Sequence, residues 1–91
     1  LETVAPNDAL LASMLDKVLG AVADQYRQKL SGYRDKLQEL ERQHGMSTDT
    51  FLQRFEAGDL GDAGEWLDWE AIAALKAEAE RKLGELERAG V

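Results

Sequence analysis

Hydrophobic residues recur every three or four positions along most of the chain, which is the spacing of one face of an α-helix. In the first half this apolar row runs through Leu11, Leu15, Val18, Val22, Tyr26, Leu30, Tyr33, Leu37 and Leu40. The row predicts one long helix over residues 8–44, with Asn7 or Asp8 as its N-cap. Residues 1–7 carry little pattern, and we expect them to form a flexible arm.

A second helical row occupies the end of the chain and predicts a final helix over residues 64–88. Its apolar positions are Trp66, Trp69, Ile72, Leu75, Ala79, Leu83 and Leu86. Because the connection is short, the two long helices should lie antiparallel as a helical hairpin. We therefore predict an all-α fold, with a long helix and a shorter antiparallel helix joined by a short helix and an acidic loop.

The connector has clear helix-ending and helix-starting signals. Gly45 follows the first periodic run, as a C-terminal glycine does, and Ser47 is a typical N-cap for a short helix over residues 48–57. Met46 and Phe51 stand at the two positions of a hydrophobic staple. These signals predict a sharp turn followed by a short helix.

The predicted final helix is shorter than the first, so it cannot reach the first turns of its neighbour. Those turns are the most apolar part of the chain, and a soluble monomer rarely exposes such a patch. We expect a homodimer whose added helices complete a bundle. Its expected interface residues are Leu11, Met14, Leu15, Val18, Leu19 and Val22, with Leu10 beside them.

The net charge of −7 is concentrated in the second half of the chain. Residues 1–46 hold seven acids and six bases, whereas residues 47–91 hold eleven acids and five bases. Residues 56–70 contain acids and no base, a surface that repels phosphate backbones and attracts basic proteins. We therefore expect a basic protein partner and no direct nucleic-acid ligand. The alternative is that these acids only solubilise the domain and complement a helix dipole.

Candidate catalytic and metal-binding residues are few. The chain has no cysteine and one histidine, His44, whose position before Gly45 favours capping of the last helical carbonyls. A calcium loop counted from Asp59 places Gly64 and Glu70 correctly, but Gly61 and Ala63 remove two of its oxygen ligands. We expect no enzyme activity, no metal and no cofactor.

The aromatic residues at helical spacing favour a structural role. Trp66 and Trp69 are three residues apart on the final helix, and Phe51 and Phe55 are four apart on the short one. Such pairs are more often core than binding site. Leu60 should anchor the acidic loop onto the hairpin.

The string GMSTDTFLQRFEAGDLGDAGEWLDWE, flanked by two charged helices, resembles small helical prokaryotic proteins encoded beside toxin genes and regarded as antitoxins. The resemblance covers residues 33–83. Its matching positions are Gly45, Met46, Ser47, Phe51, Phe55, Gly58, Leu60, Gly61, Trp66, Trp69 and Glu70. Thr48, Asp49 and Thr50 depart from the family pattern, which has an aromatic residue followed by two acids, so the first turn here is less acidic.

The resemblance implies a non-catalytic protein that neutralises a cognate toxin by covering it. The residues expected to face that partner are Asp59, Asp62, Glu65, Trp66, Asp68 and Glu70. The alternative is a self-associating helical module that has no toxin. No apolar run is long enough for a membrane span, and no basic region precedes the first apolar residues, so we expect a cytoplasmic protein.

Overall fold

The computed structural model of the protein describes residues 6–90, and this part of the chain is helical without any strand. Helix α1 spans Pro6–His44, α2 spans Thr48–Glu56 and α3 spans Gly64–Arg88. α1 and α3 pack against one another as a hairpin, and α2 packs beside them. The predicted all-α fold is confirmed.

The start of α1 differs from the prediction. The helix begins at Pro6, so Asn7 and Asp8 lie in its first turn, and the expectation that one of them is the N-cap is wrong. Proline suits the first helical position because the N–H that it lacks would have no partner there. Of the predicted arm, residues 1–5 lie outside the described residues.

The molecule is long and thin, with dimensions of 67 × 21 × 18 Å. Its radius of gyration is 19.6 Å, whereas a compact domain of this length has about 12 Å. The reason is the difference in helix length, since α3 has 25 residues and α1 has 39. An ion pair between Arg27 and Glu87 (3.6 Å) marks where α3 ends beside α1. We call residues 6–18, which extend past that end, the overhang.

The contact between α1 and α3 is a narrow seam. On α1 the buried residues are Ala23, Leu30 and Leu37, spaced seven apart, and on α3 they are Trp69 and Ala79. The small alanines let the two backbones approach closely, which suits two helices that meet along one stripe. Half-buried side chains from the predicted apolar row of α1 lie on either side of the seam.

One position of the predicted α3 row is wrong. Leu75 is 49% exposed, while its neighbour Lys76 is half-buried. A lysine can occupy this place because its aliphatic stem packs and its ammonium group reaches outward, here to Glu80 at 3.4 Å. The apolar pattern alone could not distinguish the two residues.

The connector begins as predicted. Gly45 has φ +65°, and its N–H donates to the carbonyl of Glu41 (2.8 Å). The hydroxyl of Ser47 accepts from the amide of Thr50 (3.1 Å), which confirms Ser47 as the N-cap of α2. Met46 packs against the buried cluster that contains Phe51, as a hydrophobic staple requires.

The largest buried side chains, Trp69 and Phe51, lie where the three helices meet. Their rings are stacked, with centroids 4.1 Å apart and planes 2° apart. The indole N–H of Trp69 donates to the hydroxyl of Thr48 (3.1 Å), and the amide of Thr48 donates to the carboxylate of Glu41 (2.8 Å). One polar chain therefore links α3 to α2 and α2 to α1.

Exposed ion pairs lie on the surfaces of α1 and α3. Arg81 donates to Glu78 (2.6 Å) and to Glu85 (2.7 Å), and the bond from Arg81 holds the pKa of Glu78 below its usual value. Arg42 lowers the pKa of Glu39 in the same way. Such exposed pairs contribute little to stability. Most of the stability of the fold must therefore come from the buried cluster and the seam.

We predict that Gly45→Val destabilises the protein by about 1–3 kcal/mol, because a β-branched residue is strained at positive φ. A Cβ at Gly45 would meet no atom within 4 Å, so the cost comes from the backbone alone. Gly45→Asn is the matched control, since asparagine tolerates this conformation better. Urea unfolding measures both; equal losses would contradict the left-handed turn.

We predict that Thr48→Val lowers the free energy of unfolding by about 1–3 kcal/mol, because the buried indole N–H of Trp69 loses its acceptor. Thr48→Ser keeps the hydroxyl and should lose much less. Urea unfolding at matched protein concentration compares them. If serine and valine cost the same, the hydrogen bond is not what makes Thr48 important.

Candidate protein-interaction surfaces

The overhang carries a contiguous group of exposed apolar side chains. These are Leu10 (61% exposed), Leu11 (62%), Met14 (54%), Leu15 (57%) and Val18 (58%). We call these five residues the overhang patch. Leu19 and Val22, predicted for the same interface, are half-buried near the end of α3.

The overhang patch does not face the direction of α3. The seam residues of α1 recur every seven positions back to Ala23, and the next two steps along that line are Asp16 and Ala9. At 100° per residue, the patch as a whole lies about half a turn away from this line, on the opposite side of α1. A longer α3 would therefore run past an acid and an alanine and would leave the patch open.

Two grooves flank the seam on opposite sides. The larger groove, about 790 Å³, lies on the side where α2 packs and is lined by residues that include Gln38, Leu52 and Ala77. The smaller groove, about 230 Å³, is lined by Val22, Tyr26, Lys82, Glu85 and Leu86. We call the side with the smaller groove the open face. The overhang patch lies on the side of α1 opposite the seam, and only its edge residue Leu15, seven positions before Val22, is in line with the open face.

The predicted acidic surface is divided by the geometry of α3. Glu65 and Asp68 are three residues apart and share one side of the helix, whereas Glu70 lies two residues beyond Asp68 and points about 160° away. The acidic side chains predicted to face a partner are all exposed: Asp59, Asp62, Glu65, Asp68 and Glu70. A single flat partner could not contact all five.

Trp66, the sixth residue predicted to face a partner, is half-buried and belongs to an aromatic cluster. Its ring centroid lies 4.9 Å from that of His44, 5.8 Å from Phe51 and 6.2 Å from Trp69. Part of the indole remains accessible. Trp66 is thus a packing residue with a partly accessible indole, and Asp68, two residues further on, points about 160° away from it.

His44 plays a different part from the predicted carbonyl cap. Its ring stacks on Trp69 with centroids 5.3 Å apart and planes 28° apart. Its Nε2 lies 3.4 Å from a carboxylate oxygen of Glu65. The terminal turn is instead closed by the amide of Gly45, so the histidine is available to pack between α1 and α3.

The acidic loop lacks the shape of a calcium site. α3 begins at Gly64, the sixth position of a calcium loop counted from Asp59, so the backbone is already helical where such a loop must wrap around the ion. Within residues 6–90 no three histidine, aspartate or glutamate side chains come together as a metal site would need. In the same part of the chain, no helix has the length and apolarity to span a membrane.

Three residues with structural or surface roles were missed by the sequence pattern. Thr48 pairs with Trp69 across 21 positions, which no local periodicity can show. Ala23 is fully buried. Its place seven residues before Leu30 could have indicated that it lies on the same buried side of α1. Leu67, one residue after Trp66, is 56% exposed and gives α3 an apolar surface group of its own.

Comparisons of the chain with protein-family models, with curated proteins and with solved structures give no match.

We predict that Trp66→Ala destabilises the fold by about 2 kcal/mol, roughly half the cost of removing a fully buried tryptophan, because its ring packs on Phe51 and His44. Leu67→Ala, one position away, should change stability by at most about 0.5 kcal/mol, because Leu67 is exposed. Thermal or urea unfolding gives both values. An unchanged stability of the Trp66 variant would show that this indole serves only as a surface group.

Proposed function

We propose that this protein is a non-catalytic, protein-binding antitoxin-type protein of the cytoplasm that neutralises a cognate basic toxin by covering it. The observation that supports the proposal is the overhang patch, five apolar side chains that are more than half exposed where α1 extends past the end of α3. Patches of this kind mark binding sites in soluble proteins. The resemblance of the connector to antitoxins supports a toxin as the partner.

The energetics favour a function in binding. Covering a leucine or valine side chain contributes about 1.5–3 kcal/mol, so the overhang patch is the strongest source of binding energy among the described residues. Because interfaces depend on a few well-buried apolar residues, Leu11, Leu15 and Val18 are the expected hot spots. Their row on α1 presents them together to one partner.

Charge supports a basic partner. Asp59, Asp62, Glu65 and Asp68 are exposed around the connector, and no base lies between residues 56 and 70. Complementary charge mainly speeds encounter, whereas apolar contacts hold the complex. The patch and the connector lie towards opposite ends of a molecule 67 Å long, so a toxin that contacts both must extend along the hairpin.

The alternative is a structural module that self-associates and has no toxin. The same overhang patch favours it, because a second copy could cover that patch. Co-expression of the tagged chain with the product of the neighbouring gene distinguishes the two. Recovery of a stable complex, together with relief of growth inhibition by that product, supports the antitoxin. A neighbour that neither inhibits growth nor co-purifies favours the module.

We predict that charge reversal of Asp59, Asp62 and Asp68 to lysine slows association with the basic partner about tenfold or more at low salt and changes dissociation little. Stopped-flow or surface-binding kinetics measure both rates. The matched control reverses Asp24, Asp35 and Glu39, which are exposed on α1 and give the same change of net charge.

The association rate of the unmodified protein should also fall as salt is added, because screening weakens attraction between exposed charges. Equal effects of the two triple variants would assign the result to net charge alone. Binding that does not respond to salt would return the connector acids to a solubilising role.

A further inference from the structure

We infer that a second copy of this chain covers the overhang patch, with the two overhangs packed antiparallel and the two-fold axis close to Met14. The inference goes beyond toxin binding, because it concerns the protein on its own. It names the occupant of the patch and the orientation of that occupant.

The overhang is self-complementary in the antiparallel direction. Leu11 precedes Met14 by three positions and Val18 follows Leu15 by three, so the apolar residues are symmetric about the point between Met14 and Leu15. In an antiparallel pair, Leu11 of one copy therefore lies opposite Val18 of the other, and Met14 lies beside Leu15. Each copy meets the same surface that it offers, so the contact closes as a dimer.

Charge along the side of α1 that carries the patch selects this orientation. Beyond the overhang, the patch rows continue at seven-residue steps into three exposed acids, Asp24, Asp35 and Glu39. A parallel dimer would place these acids against their own copies, and like charges across an interface are unfavourable. In the antiparallel dimer the two hairpins point away from each other, and these acids do not meet.

The exposed area suits a dimer of ordinary size. The five patch residues, each more than half exposed, offer on the order of 400 Å² of apolar surface per copy. A standard interface buries about 800 Å² per partner, of which somewhat more than half is apolar. The patch with Leu19 and Val22 supplies that amount, so a second copy can cover it without a further component.

Cysteine cross-linking tests the orientation, and the chain has no cysteine of its own. Single variants Leu11→Cys, Met14→Cys and Val18→Cys are oxidised, alone and in mixtures. A disulfide needs Cα atoms within about 7 Å, whereas two copies of position 11 would be about 10 Å apart along the antiparallel helices. We expect Met14→Cys to link to itself and Leu11→Cys to link only to Val18→Cys.

Leu75→Cys is the matched control, because Leu75 is also exposed but lies on α3 away from the overhang. It should give no rapid cross-link. Efficient self-linking of all three overhang variants would overturn the antiparallel arrangement in favour of a parallel one. Cross-links no faster than those of the Leu75 variant would overturn the interface itself.

Sedimentation tests whether a second copy of the chain covers the overhang patch. The unmodified chain should sediment as a dimer at micromolar concentration, and the triple variant Leu11→Glu, Leu15→Glu, Val18→Glu as a helical monomer. Leu67→Glu with Leu75→Glu removes exposed apolar groups from α3 and should leave the dimer intact. A well-folded monomer of the unmodified chain at high concentration would overturn the inference.

If the triple glutamate variant fails to fold, as circular dichroism would reveal, the cross-linking pattern of the cysteine variants still decides the question. The result is also separable from toxin binding, because it needs only the purified chain. A monomer that still captures the neighbouring gene product would reject the dimer and keep the proposed function.

Discussion

The indole of Trp69 is the group on which the arrangement of the three helices depends. It is fully buried, its ring lies flat on Phe51 of α2, and its N–H has its acceptor in the hydroxyl of Thr48. Thr48 in turn is bonded to Glu41 of α1. An apolar stack and a short polar chain thus act at one place, where burial would make an unpaired indole N–H costly. The angle between α1 and α3 is set at this connector end.

Away from the connector, α1 and α3 contact one another along the narrow seam. Ala23, Leu30 and Leu37 meet α3 at intervals of one heptad, and Ala79 lies among the residues that face them. Small residues allow close approach but bury little area each, so the seam keeps two helices together without building a broad core. Within residues 6–90 the molecule is therefore well packed at the connector end and incomplete at the other, where α1 extends past the end of α3.

The overhang and the connector end of the molecule suit different kinds of interaction. The overhang patch offers binding energy, whereas the acids around the connector offer long-range attraction to a basic surface. A toxin and a second copy would both gain by covering the same apolar residues. If both proposals hold, toxin capture competes with self-association, and the dimer would protect the patch until a toxin is present. Such exchange would limit aggregation of the free protein, because the patch would never remain exposed for long.

Much of this architecture is readable in the amino-acid sequence because it depends on local chemistry. The helix periodicity, the glycine at position 45, the Ser47 cap and the exact span of α3 follow from interactions between residues fewer than eight positions apart. The shortness of α3 relative to α1 also follows from the pattern, and with it the exposure of Leu11, Leu15 and Val18.

Only the tertiary structure decided which side chains meet across the connector and which way each surface faces. The bond between Thr48 and Trp69, the place of His44 between the two tryptophans and the exposure of Leu75 depend on contacts between helices distant in sequence. Periodicity assigns a residue to a broad face of a helix. The exact line of contact within that face is set by how two particular helices pack. For that reason the pattern found the apolar residues of the overhang, but the packing showed that they face away from α3.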